Sequence, residues 1–136
     1  MIIKQRFLLS PKLTSIIVAA IAVLCSINIL PNEFCFDDIP VVRDSQKIQG
    51  ANQWAAIWAT DYWSQTTSES PHRDLLYRPI SLSLFRLTRL IVGSDPLPFH
   101  LASVALNALC AVLVANLVRL LCSSNTAGLV GGLVFA

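Results

Sequence analysis

"LTSIIVAAIAVLCSINILPN", residues 13–32, carries no charged side chain over 20 positions. A hydrocarbon core of about 30 Å is crossed by about 20 mostly apolar residues in a helix. Pro31 ends the run, because a proline ring cannot continue the helical hydrogen-bond ladder. Lys4, Arg6 and Lys12 precede it, so a cleaved signal peptide and a retained signal anchor compete. The apolar stretch exceeds the roughly 7–15 residues of a signal-peptide core and no A-x-A site follows, which favours the anchor. A lipoprotein signal needs a small residue before the cysteine, and Leu24 stands before Cys25.

The rest of the chain agrees with a membrane class. Of its residues 54% are hydrophobic and 13% charged, with a mean hydropathy of +0.62, whereas an ordinary soluble domain carries roughly 25% charged residues. A net charge of +2 without a basic cluster gives nucleic-acid binding no support. Cys25, Cys35, Cys110 and Cys122 show no C-x-x-C spacing, so neither a zinc nor a redox motif is present. Cys25 and Cys110 lie inside apolar runs and read as small hydrophobes.

Residues 101–118 form a second uncharged run, of 18 residues, closed by Arg119. "CSSNT" reads as a tight turn, and "AGLVGGLVFA" begins a third apolar segment whose Gly128, Gly131 and Gly132 suit close helix packing. About ten residues are too few to cross a bilayer. The expectation is either a frayed end or the front piece of a longer protein. The fold class expected is an all-α integral membrane protein with two transmembrane helices, a truncated third, and a long extracytoplasmic loop carrying interfacial helices. Its parts are a cytoplasmic segment 1–12, a first span 13–32, a loop 33–98, a second span 99–121 and the start of a third at 126–136. Basic residues before the first span and at Arg119 put both those ends in the cytoplasm and the loop outside it, at a bacterial inner membrane or the endoplasmic reticulum. The loop then holds every Asp and Glu of the chain.

Within the loop, residues 32–50 read as irregular, and 64–74 as turn-rich. A short helix is expected near 50–60, with Trp54, Ile57 and Trp58 on one face and tryptophan at headgroup level. A second is expected over 79–93, opened by Pro79 and closed by Gly93. Ile80, Leu84, Leu87 and Ile91 share one face of it, and Arg86 and Arg89 crowd the other. Two arginines in so short a segment argue for an interfacial or protein-packed helix rather than a lipid-facing span, with both side chains on headgroups or loop.

"FCFDDIP", residues 34–40, sets Asp37 and Asp38 side by side just beyond the first span. The doublet reads either as a turn or helix end before Pro40 or as half of an active site. No third ligand accompanies it, so a divalent cation has no support and no metal site is assigned. Ser-His-Asp, H-E-x-x-H and glycine-rich phosphate patterns are all missing from the sequence, and soluble nucleotide-sugar chemistry has no support.

Three stretches together resemble the start of the lumen-facing protein O-mannosyltransferases that carry tetratricopeptide repeats, members of the GT-C class of membrane glycosyltransferases. They are "FCFDDIP", similar to that family's aromatic-x-x-Asp-Asp loop, "TDYW" at residues 60–63, and "YRPISLSLFRLTRLIVGSDPLPFHLASVALNAL" from Tyr77. Order and spacing match over most of residues 34–118. Departures are Thr88 and Ser103 where the pattern has Asn, and Asn107 where it has His. A His-Pro-x-His element would lie beyond Ala136, as would the repeats.

The resemblance implies transfer of a sugar from a polyprenyl-phosphate carrier to a hydroxyl of a protein or glycan acceptor, with inversion. One carboxylate must take the acceptor's proton and cations must stabilise the departing phosphate. It implies Asp37 as base, with Asp38 positioning the acceptor or tuning the pair through like-charge coupling. Arg78, at a loop-to-helix junction, suits either a phosphate or a snorkelled headgroup contact. His100 suits either a substrate contact or a structural hydrogen bond at a helix start. The tryptophans read as interfacial anchors or as platforms for a sugar ring. The rival readings are a non-catalytic membrane scaffold or subunit, and a carrier-binding relic without turnover.

Overall fold

The computed structural model describes residues 10–63 and 76–136. Lys4 and Arg6 of the basic N-terminus and the turn-rich stretch 64–74 lie outside the described residues. Among the described residues every regular element is helical and there is no strand. The chain divides into two units: Met1–Pro31 with His100–Ala136, a helical hairpin unit, and Asn32–Phe99, a loop unit.

In the hairpin unit α1 spans Pro11–Ser26 and continues as a 3₁₀ turn over Ile27–Ile29. It starts at Pro11 because Ser10 caps it: the Ser10 hydroxyl accepts from the Leu13 N–H at 3.2 Å, and Pro11 occupies the first helical position. The loop unit contributes α2 (Gln46–Gln49), α3 (Trp54–Ala59) and α4 (Pro79–Val92), after which come α5, Pro96–Cys122, and α6, Asn125–Phe135. Pro11–Ile29 and Pro96–Cys122 are the two helices long and apolar enough to cross a bilayer. Ser123 turns the chain between α5 and α6 at φ 50°, and Ser124 caps α6 by accepting from the Ala127 N–H.

Small residues bring these helices together. Val18, Ala22, Ala111 and Ala115 form the buried core of the unit. Thr14, Val18 and Ala22 repeat at four-residue steps along α1. A methyl group added at Gly132 would stand 2.7 Å from the Ala115 Cβ and 2.8 Å from a Val18 methyl; one at Gly128 would stand 2.7 Å from the Ala115 carbonyl oxygen. Backbone approach this close admits only glycine. Two amide-to-hydroxyl bonds add polar ties between α1 and α5, from Asn107 to Ser26 at 3.1 Å and from Asn116 to Ser15 at 3.5 Å.

The loop unit is more ordered than its polarity suggests. Residues 32–50, expected as irregular loop, instead hold a π-type turn over Ile39–Arg43 and the short helix α2 over Gln46–Gln49. The cause is apolar: Val41, Val42 and Ile48 are buried with Ile57, Leu82 and Phe99 in one core. Phe99 meets Phe34 edge-on at 5.4 Å. Helix α3 covers Trp54–Ala59 and α4 covers Pro79–Val92, where Gly93 ends the helix at φ 87°.

Arg86 of α4 makes a loop contact, one of the two kinds expected of it from the sequence. The inner face of α4 carries Leu82 and Arg86, while Ile80 and Ile91 of the apolar stripe are 77% and 71% exposed. Arg86 is 3% exposed. Its Nη1 donates to the Lys47 carbonyl at 2.6 Å and lies 3.5 Å from that of Ile48, and its guanidinium sits 5.2 Å from the centre of the Trp54 ring. Carbonyls of a last helical turn have no partner within the helix and carry partial negative charge that a cation satisfies. Arg86 closes α2 in this way, so the charged residue faces inward and the greasy stripe faces out.

Candidate functional site

Asp37 and Asp38 open the π-type turn. Phe36 just before them adopts φ 44°, a left-handed conformation that a bulky residue takes only when its surroundings enforce it. The Asp38 N–H donates to the Cys35 carbonyl at 3.0 Å and the Val41 N–H to the Asp37 carbonyl at 3.1 Å. The doublet's backbone therefore builds the turn. Its side chains do not: no Asp38 side-chain bond caps the turn. Asp37 is exposed and Asp38 half-buried.

Tyr62, the third residue of "TDYW", is where the charged residues meet. Arg78 Cζ lies 5.5 Å from the centre of its ring. Burial pushes the Tyr62 pKa up, the Arg78 charge pulls it down, and the charges of Asp38 and then Asp37 push it up again, leaving it above the ordinary phenol value. Both carboxylates and the guanidinium thus act on one hydroxyl. Among the described residues the recorded ion pair is Arg43 with Asp44, so Asp37, Asp38 and Arg78 keep their charges unpaired within that set.

Neighbouring bonds hold Tyr62 in place. Its N–H donates to the Leu76 carbonyl at 2.7 Å, two residues before Arg78. The buried Lys47 ammonium donates to the carbonyl of Asp61, and burial lowers its pKa against the opposing charge of Asp61. The Thr60 hydroxyl donates to the Ala56 carbonyl at 2.6 Å, and the Tyr77 hydroxyl to that of Trp58 at 2.9 Å. A chain of contacts runs from Arg86 on α4, through Lys47 on α2, to the residue before Tyr62.

Of the four residues singled out by sequence, Arg78 packs over the Tyr62 ring, and the charges of Asp38 and Asp37 bear on the same phenol. Arg78 occupies the cap position of α4 ahead of Pro79 and is exposed. His100 instead falls in the hairpin unit, at the fifth position of α5, where it is half-buried. Sequence reasoning left Tyr62 without a role. The only signal for it was its place in "TDYW", since neither spacing nor charge marks a lone tyrosine as a hub. Lys47 was missed for a similar reason, as lysines in polar loops usually point to water. Among the described residues no group of three or more His, Cys, Asp or Glu side chains could hold a metal.

No protein-family model matches the chain, and no solved structure matches it. Curated proteins do. The chain is 33% identical over 119 residues to Protein O-mannosyl-transferase tmtc2 of Xenopus laevis, a match covering 87% of this chain and 14% of that protein. It is 27% identical over 125 residues to Protein O-mannosyl-transferase TMTC2 of Homo sapiens, covering 91% of this chain and 15% of that one. To Protein O-mannosyl-transferase Tmtc1 of Drosophila melanogaster it is 30% identical over 118 residues, covering 87% and 14%. The chain thus spans about a seventh of the length of the curated relatives it matches. Over most of its own length, then, it is a homologue of the proteins named protein O-mannosyl-transferases TMTC1, TMTC2 and TMTC3.

Proposed function

We propose that this chain is one segment of a membrane glycosyltransferase that moves a sugar, mannose by the relatives' names, from a polyprenyl-phosphate carrier to a protein hydroxyl with inversion. The observation that carries the reading is the convergence of Asp37, Asp38 and Arg78 on Tyr62, in a chain whose relatives are named for O-mannosyl transfer. In the reaction Asp37 accepts the acceptor's hydroxyl proton while that oxygen attacks the anomeric carbon. The bond from that carbon to the phosphate oxygen breaks, and the electron pair leaves on polyprenyl phosphate. Arg78 stabilises the departing phosphate, and Asp38 positions the acceptor. No metal is assigned a part.

Membrane placement is part of the same reading. The apolar helices Pro11–Ile29 and Pro96–Cys122 cross the bilayer, with the N-terminus cytoplasmic and residues 33–98 extracytoplasmic. Trp54 and Trp58 are 41% and 54% exposed, and Ile80, Leu87 and Ile91 of α4 are exposed as well, as suits interfacial helices.

The test is Asp37→Asn in the complete protein, assayed for transfer of labelled sugar from polyprenyl phosphate to a serine- or threonine-containing peptide. Loss of general-base catalysis lowers kcat by roughly 10²–10⁴-fold. Unchanged transfer removes Asp37 from the mechanism, and a well-folded wild type that transfers nothing moves the chain to a scaffold role.

A further inference from the structure

The reaction as set out gives Tyr62 no task, yet Tyr62 is the residue on which the cluster converges. It is a fixed platform: its N–H is bonded to Leu76 at 2.7 Å, its ring meets Trp63 edge-on at 5.4 Å, and the residue before it is held by Lys47. Arg78 is exposed, and two carboxylates act on the same phenol that it covers. An arginine so placed gains most by pairing with a carboxylate bidentately. Among the described residues it makes no such pair; its guanidinium sits over the Tyr62 ring instead. A guanidinium at a ring face uses its π surface for the contact and keeps its in-plane N–H donors for a planar anion.

We propose that Tyr62 is a positioning residue: its ring holds the Arg78 guanidinium ready for the phosphate of the carrier. This role rests on the glycosyl-transfer reading above and deepens it on the donor side. An arginine held over a ring keeps its in-plane N–H donors for the leaving phosphate, and the phenol, neutral near pH 7, adds no negative charge to a site that must receive a phosphate.

The experiment measures binding of a polyprenyl monophosphate to the intact protein in detergent micelles, with Tyr62→Leu, Tyr62→Phe, Arg78→Met and the double variant Tyr62→Leu/Arg78→Met. Removing the ring is expected to weaken binding roughly fivefold. Tyr62→Phe, which keeps the ring, recovers affinity to within about twofold. Arg78→Met weakens binding at least as much as Tyr62→Leu, and the double variant is no weaker than Arg78→Met, because the ring acts only through the arginine. Wild-type affinity in Tyr62→Leu, loss in Tyr62→Phe equal to that in Tyr62→Leu, or additive losses in the double variant would each overturn the proposal while leaving the glycosyl-transfer reading intact. A folded wild type that fails to bind the carrier overturns both, and is told apart by that failure. If Tyr62→Leu does not fold, Arg78→Met decides alone: at that exposed position, full retention of affinity overturns the proposal.

Discussion

The two units solve the same problem, holding short helices together, with opposite materials. In the hairpin unit the joints are glycine and alanine against valine, with two neutral amide-to-hydroxyl bonds. Lipid tails are as apolar as the side chains, so close van der Waals approach rather than apolar burial has to bind the helices. In the loop unit the apolar core of Val41, Val42, Ile48, Ile57, Leu82 and Phe99 is joined by buried cations on backbone carbonyls, Arg86 on Lys47 and Lys47 on Asp61. The hairpin gains by having nothing between its backbones, and the loop adds charge to its apolar core. The lesson is that a chain rich in apolar residues can still place two buried cations at the joints of its loop unit.

The contrast can be broken from either side. The largest effect is expected for Arg86→Ala, which leaves the Lys47 carbonyl buried without its charged donor. A buried hydrogen bond to a charged group is worth about 1.5–3 kcal/mol, and the loop unit should weaken by about that much. Hydrogen exchange read residue by residue checks it: protection falls across α2 and α3 and stays unchanged through α1 and α6. Next is Gly132→Val, whose added atoms meet a backbone-anchored methyl at 2.7 Å and cost about 1–3 kcal/mol of overpacking. Here protection should fall in α1 and α6 and persist around Ile48 and Ile57. Either variant loosening both units equally would mean that the two share one mode of stabilisation.

The same contrast explains what was legible beforehand. Residues 13–32 and 101–118 announce themselves by length and lack of charge, and the glycines of α6 by spacing, because one physical demand, membrane solvation, governs every position there. The loop unit obeys several demands at once. On α4, Ile80, Leu87 and Ile91 of the apolar stripe are exposed while Arg86 faces inward onto the open carbonyls of α2, a partner that spacing along α4 does not reveal. The π-type turn over Ile39–Arg43 and the helix α2 were hidden because Val41, Val42 and Ile48 are too few and too irregularly spaced to show a period. At the site, Asp37, Asp38 and Arg78 were readable as charges near a membrane face. Tyr62 was not, since its importance comes from a fold that closes residue 62 onto residue 76.

A smaller and more local effect concerns pH. A phenol whose folded pKa stands above its ordinary value of 10.0 contributes stability that is complete below that value and is lost as pH rises through the folded pKa. Tyr62→Phe removes that contribution, so the loss of loop-unit protection on raising the pH through that range should be smaller in the variant than in the wild type, as hydrogen exchange will show.

The central claim is that the doublet and Arg78 act together on Tyr62, and titration of that phenol tests it most directly. Near-ultraviolet absorbance of tyrosinate, taken as the difference between the protein and its Tyr62→Phe variant, isolates the group. The account predicts a midpoint above 10.0 in the wild type, a lower one when Asp37 and Asp38 are both changed to Asn, and a higher one in Arg78→Met. A midpoint that stays put in all three would contradict it, because the carboxylates and the guanidinium would then be bystanders to the residue they are said to surround.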